Sequence, residues 1–441
     1  MVVTMMPSRG LLITLAASLI LVGCGSDPGF NEETDFVRKE GAVQFVNMMA
    51  DSPELTMIHG LNNQTIRFPF TTGGDIRFED RYDWRLAYRD SNLDEVTVAE
   101  AEDQQILENT LSTFLLMGSL SQPDVQIVDV GLPAIEDRTE DSAVIWFAAN
   151  LSAISMVDLY LLESGAVLSD AAPLASLNSG SFTTTLTVDS GDNLHLIVTI
   201  AGSQDVLFDS GQISLPDRSV DLFALVDDFG PEGTIHIDVI RGSSVTGGIM
   251  PDVSQTTLTR VTNYSSLGEL DVIVADTEFA AVGPGTQTDY TGTSADGQNI
   301  VVSQGTETIF EDSAELFAGG FHSFLMFDND DTDTALTPIL IRDEFRTIKE
   351  RAYFQFINGS AETIDFYALI DDQDTDDTAP VLRDTQTIAS GIGEVPIGET
   401  RFVVRTADSQ ETLGSTQLTL QEGFTYTLVY ESNGGLQVVL N

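Results

Sequence analysis

Short runs of alternating apolar and polar residues fill most of the chain, and they repeat four times. Each repeat opens with a strand-like run that stops at an Asn, and these residues are Asn47, Asn150, Asn263 and Asn358. The four Asn follow one another at intervals of 103, 113 and 95 residues. Alternation with a period of two predicts half-buried β-strands, and Asn favours turns. This spacing matches seven-strand sandwiches of about 100 residues and exceeds the roughly 20 to 50 residues of solenoid repeats.

Further strand patterns recur within each repeat. A second strand is predicted at residues 55–58, 157–160, 270–273 and 364–367. Three of these second strands carry an Asp in the same position, namely Asp158, Asp271 and Asp365. A middle strand is predicted at residues 84–88, 194–198, 300–302 and 401–404. The last repeat closes with a predicted hairpin over residues 424–440, whose Asn433-Gly434-Gly435 is a tight-turn signal.

These patterns predict an all-β protein of four tandem antiparallel β-sandwiches with an immunoglobulin-like fold. The predicted sandwiches cover residues 41–130, 142–240, 256–345 and 351–441. The links between them, at 131–141, 241–255 and 345–350, are short and predict a semi-rigid string of domains.

Two segments depart from the strand pattern. Residues 96–111 are the best candidate for a helix, because their apolar positions approach a 3.6-residue period. Gly391-Ile392-Gly393 lacks the third Gly of a dinucleotide-binding fingerprint and has no helix pattern after it. We therefore predict a turn at these three residues.

The N-terminus carries a secretory pattern. One positive charge, Arg9, precedes an eleven-residue apolar run at residues 11–21. This run is shorter than the roughly 20 residues that span a bilayer, but it suits the core of a signal peptide. It ends in Leu21, Val22, Gly23 and Cys24.

These four residues resemble the bacterial lipobox. The resemblance implies a signal peptide at residues 1–23, cleavage before Cys24, and a membrane anchor through lipid on that Cys. Gly25 after the Cys favours the outer membrane, again by resemblance, and residues 24–40 form a polar spacer. The alternative is an unmodified, buried Cys24. Which face of the outer membrane the body occupies is left open.

Several short segments share a further pattern. Asp51-Ser52-Pro53 follows the first opening strand, VDLY and IDFY occupy residues 157–160 and 364–367, and VPIGET and GFTYT lie at 395–400 and 423–427. These segments resemble the DUF4397 family of β-sandwich repeats in secreted bacterial proteins. The resemblance implies a sandwich fold and an envelope or secreted location. It carries no catalytic residues.

Composition narrows the range of partners. The 441 residues include 69 Asp plus Glu against 19 Lys plus Arg, which gives a net charge of −50. A surface this negative repels phosphate backbones and anionic headgroups, so we expect no nucleic-acid partner and no electrostatic membrane docking. Only two basic residues are Lys, a composition that resembles adaptation to saline water. A single Cys excludes internal disulfides.

Candidate chemistry is sparse. The four His, at 59, 195, 236 and 322, form no HExxH motif, and His195 and His236 are predicted to be half-buried strand residues. No GxSxG motif occurs, and no catalytic residue or resident cofactor is predicted.

Two acidic runs remain, and alternate oxygen ligands are what Ca²⁺ prefers. The candidate ligands are Asp328, Asp330, Asp331 and Asp333 in one run and Asp371, Asp372, Asp374 and Asp376 in the other. Two interpretations are open for each run: a solvated acidic loop or a weak Ca²⁺ site.

The sequence thus favours a non-enzymatic, lipid-anchored envelope protein that presents β-sandwiches for binding or adhesion, with a protein or polysaccharide ligand. We expect recognition in loops at the sandwich ends, such as residues 371–377. One alternative is a periplasm-facing scaffold or assembly factor of an envelope complex. Another is a hydrolase whose site is built across domains.

Overall fold

A computed structural model of the chain describes most of the residues after the N-terminal segment. The described ranges are 40–59, 62–71, 75–78, 80–132, 140–243, 247–295, 299–328, 336–360, 362–370, 373–386, 389–431 and 435–440. Within these ranges the only helical segments are two three-residue 3-10 turns, Leu168–Asp170 and Pro231–Gly233. No helix in the described part is long and apolar enough to cross a membrane.

The described part of the first sandwich contains nine strands in two sheets. They are β1 (Glu40–Asn47), β2 (Leu55–His59), β3 (Asn62–Ile66), β4 (Phe70–Thr71), β5 (Asp75–Phe78), β6 (Asp80–Arg89), β7 (Glu95–Ile106), β8 (Thr110–Ser119) and β9 (Gln122–Gly131). Its first sheet has the order β4-β1-β8-β9, with β5 also paired to β1. Its second sheet has the order β3-β2-β6-β7.

The second sandwich repeats this arrangement. Its strands are β10 (Ser142–Asn150), β11 (Met156–Glu163), β12 (Ala175–Asn178), β13 (Ser181–Phe182), β14 (Leu186–Asp189), β15 (Gly191–Ile200), β16 (Val206–Leu215), β17 (Val220–Phe229), β18 (Ile235–Ser243) and β19 (Gly247–Ile249). The sheets are β13-β10-β17-β18-β19, with β14 on β10, and β12-β11-β15-β16. The predicted link at residues 241–255 therefore contains the end of β18 and the edge strand β19.

The third and fourth sandwiches have eight strands each among their described residues. The third contains β20 (Thr257–Asn263), β21 (Leu270–Val274), β22 (Thr277–Val282), β23 (Thr291–Thr293), β24 (Asn299–Gln304), β25 (Glu307–Ser313), β26 (Phe321–Asp328) and β27 (Leu336–Arg342). The fourth contains β28 (Arg351–Gly359), β29 (Ile364–Ile370), β30 (Leu382–Thr385), β31 (Ala389–Pro396), β32 (Gly398–Thr406), β33 (Thr412–Leu420), β34 (Thr425–Glu431) and β35 (Leu436–Leu440). Their sheets are β23-β20-β26-β27 and β22-β21-β24-β25, then β31-β28-β34-β35 and β30-β29-β32-β33.

One strand order is common to all four sandwiches. The opening strand of each repeat lies inside the first sheet and pairs in parallel with the strand that begins the closing hairpin, as in Val46↔Leu115 and Ile357↔Val429. Every other named pairing is antiparallel among the described strands. The prediction of an all-β fold of tandem β-sandwiches is confirmed, and the parallel pair is a feature that the alternation pattern did not indicate.

Each sandwich has its own apolar core between its two sheets. Phe114 and Trp84 meet edge to face in the first core, and Phe147 stacks on Phe223 in the second. Val272 is fully buried in the third core and Phe366 in the fourth. The inward positions of the alternating strands supply these side chains, which explains why the period-two pattern located the strands.

The helix prediction for residues 96–111 is wrong. Most of this segment forms β7, and its end begins β8. Pairing of β7 with β6 shifts register twice, between Leu86 and Ala87 and between Tyr82 and Trp84. Each β-bulge inserts a residue into the alternation, so the apolar positions imitate a helical period.

The predicted turn at Gly391-Ile392-Gly393 is also wrong. All three residues lie inside β31 and pair with β28. A Cβ placed on Gly393 would lie 2.6 Å from the Phe354 ring, so this Gly allows the aromatic side chain to pass over the strand.

Neighbouring sandwiches contact each other through apolar side chains. The first sheet of the first sandwich and the first sheet of the second sandwich share one buried apolar cluster between their outer faces. It includes Leu115 and Met117 from the first sandwich and Trp146 and Leu222 from the second. A smaller buried cluster joins the third and fourth sandwiches, with Phe327 and Ile357 among its members. Burial of these faces fixes neighbouring sandwiches against each other.

The repeated Asn residues have a structural role. Asn263 and Asn358 are fully buried, and the Oδ1 of each accepts hydrogen bonds from the backbone N and the Oγ of the Ser two residues later. Asn47 likewise accepts from the backbone N of Met49. Asn150 differs, because it bonds to the first sandwich, where Nδ2 donates to the backbone O of Met48 at 2.6 Å.

The repeated Asp residues tie the second strand to its neighbours in the same sheet. Asp271 accepts from the backbone N of Ala281, and Asp365 from that of Asp384. Asp158 accepts from the backbone N of Gly202. In the third and fourth sandwiches these contacts accompany a register shift between the second strand and the edge strand. The shared Asp therefore stabilises strand geometry.

Candidate binding site

A large cleft lies where residues of all four sandwiches meet. Its volume is about 1190 Å³, which is ample for a ligand larger than one sugar ring. The first sandwich contributes residues such as Glu54 and Arg89, and the second contributes Asp228. Arg342 and Arg351 line the parts formed by the third and fourth sandwiches.

The lining is unusually basic for this chain. Five of the 19 basic residues line the cleft, namely Arg67, Arg89, Arg342, Arg346 and Arg351. Among the described acidic residues, seven do so: Glu54, Asp227, Asp228, Asp238, Asp343, Glu344 and Glu394. The cleft is therefore close to charge balance, whereas the chain as a whole is strongly negative.

Arg346 crosses between the first and fourth sandwiches at the floor of the cleft. Its side chain is only 4% exposed. Nη1 donates to the backbone O of Ser52 at 2.9 Å, and Nη2 donates to Oε1 of Glu394 at 2.8 Å. The guanidinium also lies over the ring of Phe68, at 5.4 Å from its centroid. The short segment before β28 is thus fixed by charge, hydrogen bonds and packing together.

A second cluster joins the second and third sandwiches. Nη2 of Arg342 donates to Oδ2 of Asp238 at 3.3 Å and lies 4.0 Å from Oδ2 of Asp228. Burial raises the pKa of Asp238 to about 6, although the Arg342 charge opposes this rise. Burial and then the neighbouring Asp238 charge raise the pKa of Asp228 well above its usual range. The cleft therefore contains two carboxyl groups that gain protons more readily than ordinary aspartates.

The first and fourth sandwiches also meet at the rim. Oε2 of Glu394 accepts from the backbone N of Glu54 at 2.6 Å. The Glu54 side chain in turn accepts from Nε of Arg67 at 2.6 Å, in an exposed ion pair. Donors and acceptors therefore alternate along this wall.

Two arginines on the same wall form no ion pair with described residues. Arg351, half-buried at the start of β28, donates from Nη2 to the backbone O of Arg89, and its Nε is buried without a described hydrogen-bond partner. The Arg89 side chain is exposed at the end of β6. Burial lowers the pKa of Arg351, and carboxylates at longer range, Glu394 first, oppose that shift. A partly desolvated guanidinium with no described carboxylate at ion-pair distance is unfavourable.

The predicted anchor lies outside the described residues, as do Leu21, Val22, Gly23 and Cys24. The same holds for five of the proposed Ca²⁺ ligands, Asp330, Asp331, Asp333, Asp371 and Asp372.

The three described acidic candidates have protein partners. Asp328 accepts from the backbone N of Ser266. Asp376 accepts from Nη1 of Arg405 at 2.9 Å. A side-chain hydrogen bond from Thr375 lowers the pKa of Asp374. In the described part no group of three or more His, Cys, Asp or Glu is placed to hold a metal ion. The weak Ca²⁺ site stays a prediction.

Neither His195 nor His236 lines the cleft. His195 and His236 are half-buried strand residues, as predicted. Nδ1 of His195 lies 3.4 Å from Oδ1 of Asp209. The neighbouring Ser210 is buried, and its Oγ donates to the backbone O of Gly211. This hydroxyl is directed into the backbone, so the trio does not form a nucleophile with its base.

Sequence reasoning did not find the cleft. A signal was nevertheless present between residues 342 and 351, where four of the 19 basic residues fall within ten positions. In so acidic a chain, a local cluster of basic residues indicates a segment that lies close to several carboxylates.

No model of a known protein family matches the chain. A search of curated proteins gave no match either. The resemblance to the DUF4397 family accordingly stays a prediction.

Proposed function

We propose that this chain is a non-enzymatic, lipid-anchored protein of the outer membrane whose four β-sandwiches serve binding or adhesion. The observation that carries the proposal is the cleft of about 1190 Å³ shared by all four sandwiches. Its wall contains a charged group from every sandwich, held by ion pairs such as Arg346–Glu394 and Arg342–Asp238. Side chains held in place in this way favour ligand binding, because little conformational entropy is lost on association.

The anchor rests on the sequence. Lipid on Cys24 and a spacer over residues 24–40 would hold the body close to the membrane. Metabolic labelling with a palmitate analogue tests this part. We expect label on the wild-type chain and none on Cys24→Ser. Equal labelling of both chains would contradict the anchor.

Protease shaving of intact cells separates adhesion from a role inside the periplasm. A tag on the fourth sandwich is followed by immunoblot, with a known periplasmic protein as the integrity control. Loss of the tag while the control survives supports adhesion or capture at the surface. Protection of the tag supports the periplasm-facing scaffold instead.

Binding itself is tested with the full chain in mild detergent against whole cells, cell-surface polysaccharides and envelope proteins. We expect at least one class to bind, and binding to fall when cleft arginines are replaced. If nothing in the panel binds, the binding function is wrong.

A second function, hydrolysis at a site built across sandwiches, is favoured by one observation. Asp228 and Asp238 lie in the cleft with raised pKa values, a property of carboxyl groups that act as general acids. An assay for the release of reducing sugar from polysaccharides tests this function. The assay is run at roughly pH 5 to 7, because a carboxyl group with a raised pKa acts as a general acid in that range. Activity that Asp238→Asn abolishes and Asp328→Asn retains would overturn the non-enzymatic part of our proposal.

A further inference from the structure

Arg89 and Arg351 are neighbouring cleft residues that have no carboxylate partner among the described residues. The chain has 69 acidic residues, and the other three cleft arginines each have a carboxylate within 4.0 Å. Arg89 and Arg351 make no such pair among the described residues, although hydrogen bonding links Arg351 to the backbone of Arg89. Arg351 is also half-buried with an unpartnered Nε. Both residues line the same cleft, so their guanidinium groups offer donors there to an external anion.

The planar fork of guanidinium donors matches an oxyanion. Carboxylate and sulfate groups accept two parallel hydrogen bonds from such a fork, and both contacts are charge-assisted. Donors that are held by the fold lose little freedom when the anion arrives. Here the backbone of Arg351 is held at the start of β28 and that of Arg89 at the end of β6.

The other residues of this wall restrict the kind of ligand that can carry the anionic group. Glu54 and Glu394 lie on the same wall, between the first and fourth sandwiches. These carboxylates would repel a ligand with dense negative charge, but they accept hydrogen bonds from hydroxyl groups. Hydroxyls also accept from arginines such as Arg67. A volume of about 1190 Å³ exceeds the needs of a single ring.

We infer that Arg89 and Arg351 bind the oxyanion of an acidic oligosaccharide, and that its hydroxyl groups contact the alternating carboxylates and arginines of the same cleft. This inference rests on the proposed binding function and names its ligand class. The oxyanion is a carboxylate of a uronic acid or a sulfate ester, since both present the same acceptor geometry.

Isothermal titration calorimetry on the full chain in mild detergent tests the inference. The probes are trigalacturonate, a sulfated trisaccharide, the neutral maltotriose, inorganic sulfate and the peptide trialanine. We expect one acidic trisaccharide to bind at least about tenfold more tightly than maltotriose, since a charged hydrogen bond is worth about that factor or more. Whichever acidic trisaccharide binds more tightly identifies the oxyanion.

Variants locate the site. Arg89→Gln and Arg351→Gln should each weaken the binding of the acidic trisaccharide by about 10-fold to 100-fold. Arg401→Gln makes the same change of charge at an exposed residue outside the cleft, and its affinity should stay within about twofold of wild type. Arg89 is exposed, so its replacement should leave the thermal midpoint unchanged even if Arg351→Gln lowers it.

Several results would overturn the inference. These are equal affinity of Arg89→Gln and wild type, equal binding of maltotriose, tighter binding of trialanine or of sulfate alone, and absence of binding by every probe. The proposed binding function is judged separately, by the wider panel of cells, polysaccharides and proteins. A chain that binds elsewhere in that panel would retain its function while losing this ligand.

Discussion

Nη2 of Arg346 donates a hydrogen bond to Oε1 of Glu394 across 2.8 Å, and the two side chains are 4% and 12% exposed. Arg346 follows the third sandwich, whereas Glu394 belongs to β31 of the fourth. Because the pair is buried, neither charge can be rehydrated if the other is removed. The contact therefore couples the junction segment to the first sheet of the last sandwich.

Replacing Arg346 tests this coupling. Arg346→Met should lower the free energy of unfolding by about 3–5 kcal/mol, because it leaves the Glu394 carboxylate buried without a counter-charge. Arg67→Met breaks the exposed pair with Glu54 and should cost at most about 1 kcal/mol. Urea denaturation followed by circular dichroism compares the two. Similar losses in both variants would contradict the importance of burial.

Stability should rise as the pH falls from 7.5 to 5. The folded-state pKa of Asp238 is about 6, above its usual 3.8, so the folded chain takes up this proton first. The contribution is complete below pH 3.8 and is lost as the pH rises through 6. Between pH 7.5 and 5 the group adds about 1 kcal/mol to the free energy of unfolding.

Asp238→Asn provides the comparison that isolates this group. Relief of the repulsion among acidic groups also stabilises the fold at lower pH, and His322, whose pKa is lowered by burial, acts in the opposite direction. The acidic repulsion and the His322 titration act in both wild type and Asp238→Asn. We expect the urea midpoint of the variant to rise less than that of wild type, and an equal rise would exclude a raised pKa at Asp238.

Trp146 tests the contact between the first and second sandwiches. Its side chain is 1% exposed in the shared apolar cluster, and its Nε1 has no described hydrogen-bond partner. Trp146→Ala should cost about 3–5 kcal/mol of unfolding free energy, because it opens a large cavity. Trp146→Phe should cost much less, since it also removes an unsatisfied buried donor.

The partly exposed Met156 gives the control for this pair of variants. It is 38% exposed on β11, so Met156→Ala should change the unfolding free energy by no more than about 0.5 kcal/mol. Guanidinium denaturation gives all three values. A Trp146→Ala chain as stable as Met156→Ala would mean that the cluster contributes little.

Asn358 tests the repeated turn. Its Nδ2 donates to the backbone O of Glu362, Thr385 and Gln386 at 2.8, 3.1 and 3.1 Å. Asn358→Ala should therefore cost at least about 2 kcal/mol. Asn358→Asp should cost more at neutral pH, because a carboxylate faces the same carbonyl oxygens. The exposed Asn92 serves as the control for Asn→Ala, and differential scanning calorimetry gives the thermal midpoints. A midpoint for Asn358→Asp above that of Asn358→Ala would refute this role.

The sequence predicted what depends on neighbours along the chain. Alternation located the opening, second and middle strands, and the marker Asn and Asp residues fell at equivalent places in the sheets. The helix and turn predictions failed where the local sequence pattern did not reflect how the strands pair. Bulges in β7 imitated a helix, and the glycines of β31 signalled a turn where a Phe354 ring needed space.

The cleft could not be predicted in the same way. Glu54 and Glu394 meet across 340 positions of sequence, and Arg346 reaches Ser52 across 294. Neither separation leaves a local motif, because each residue looks like an ordinary polar position within its own repeat. Only the arginines between residues 342 and 351 gave a compositional signal.

Asn150 makes the second sandwich depend on the first while the chain is being made. Its side chain exchanges hydrogen bonds with the backbone of Gly118 and donates to the O of Met48, both of which are synthesised earlier. Since domains generally fold in order from the N-terminus, the first sandwich can offer these groups as residue 150 emerges. The second repeat then completes its opening turn on a surface already folded.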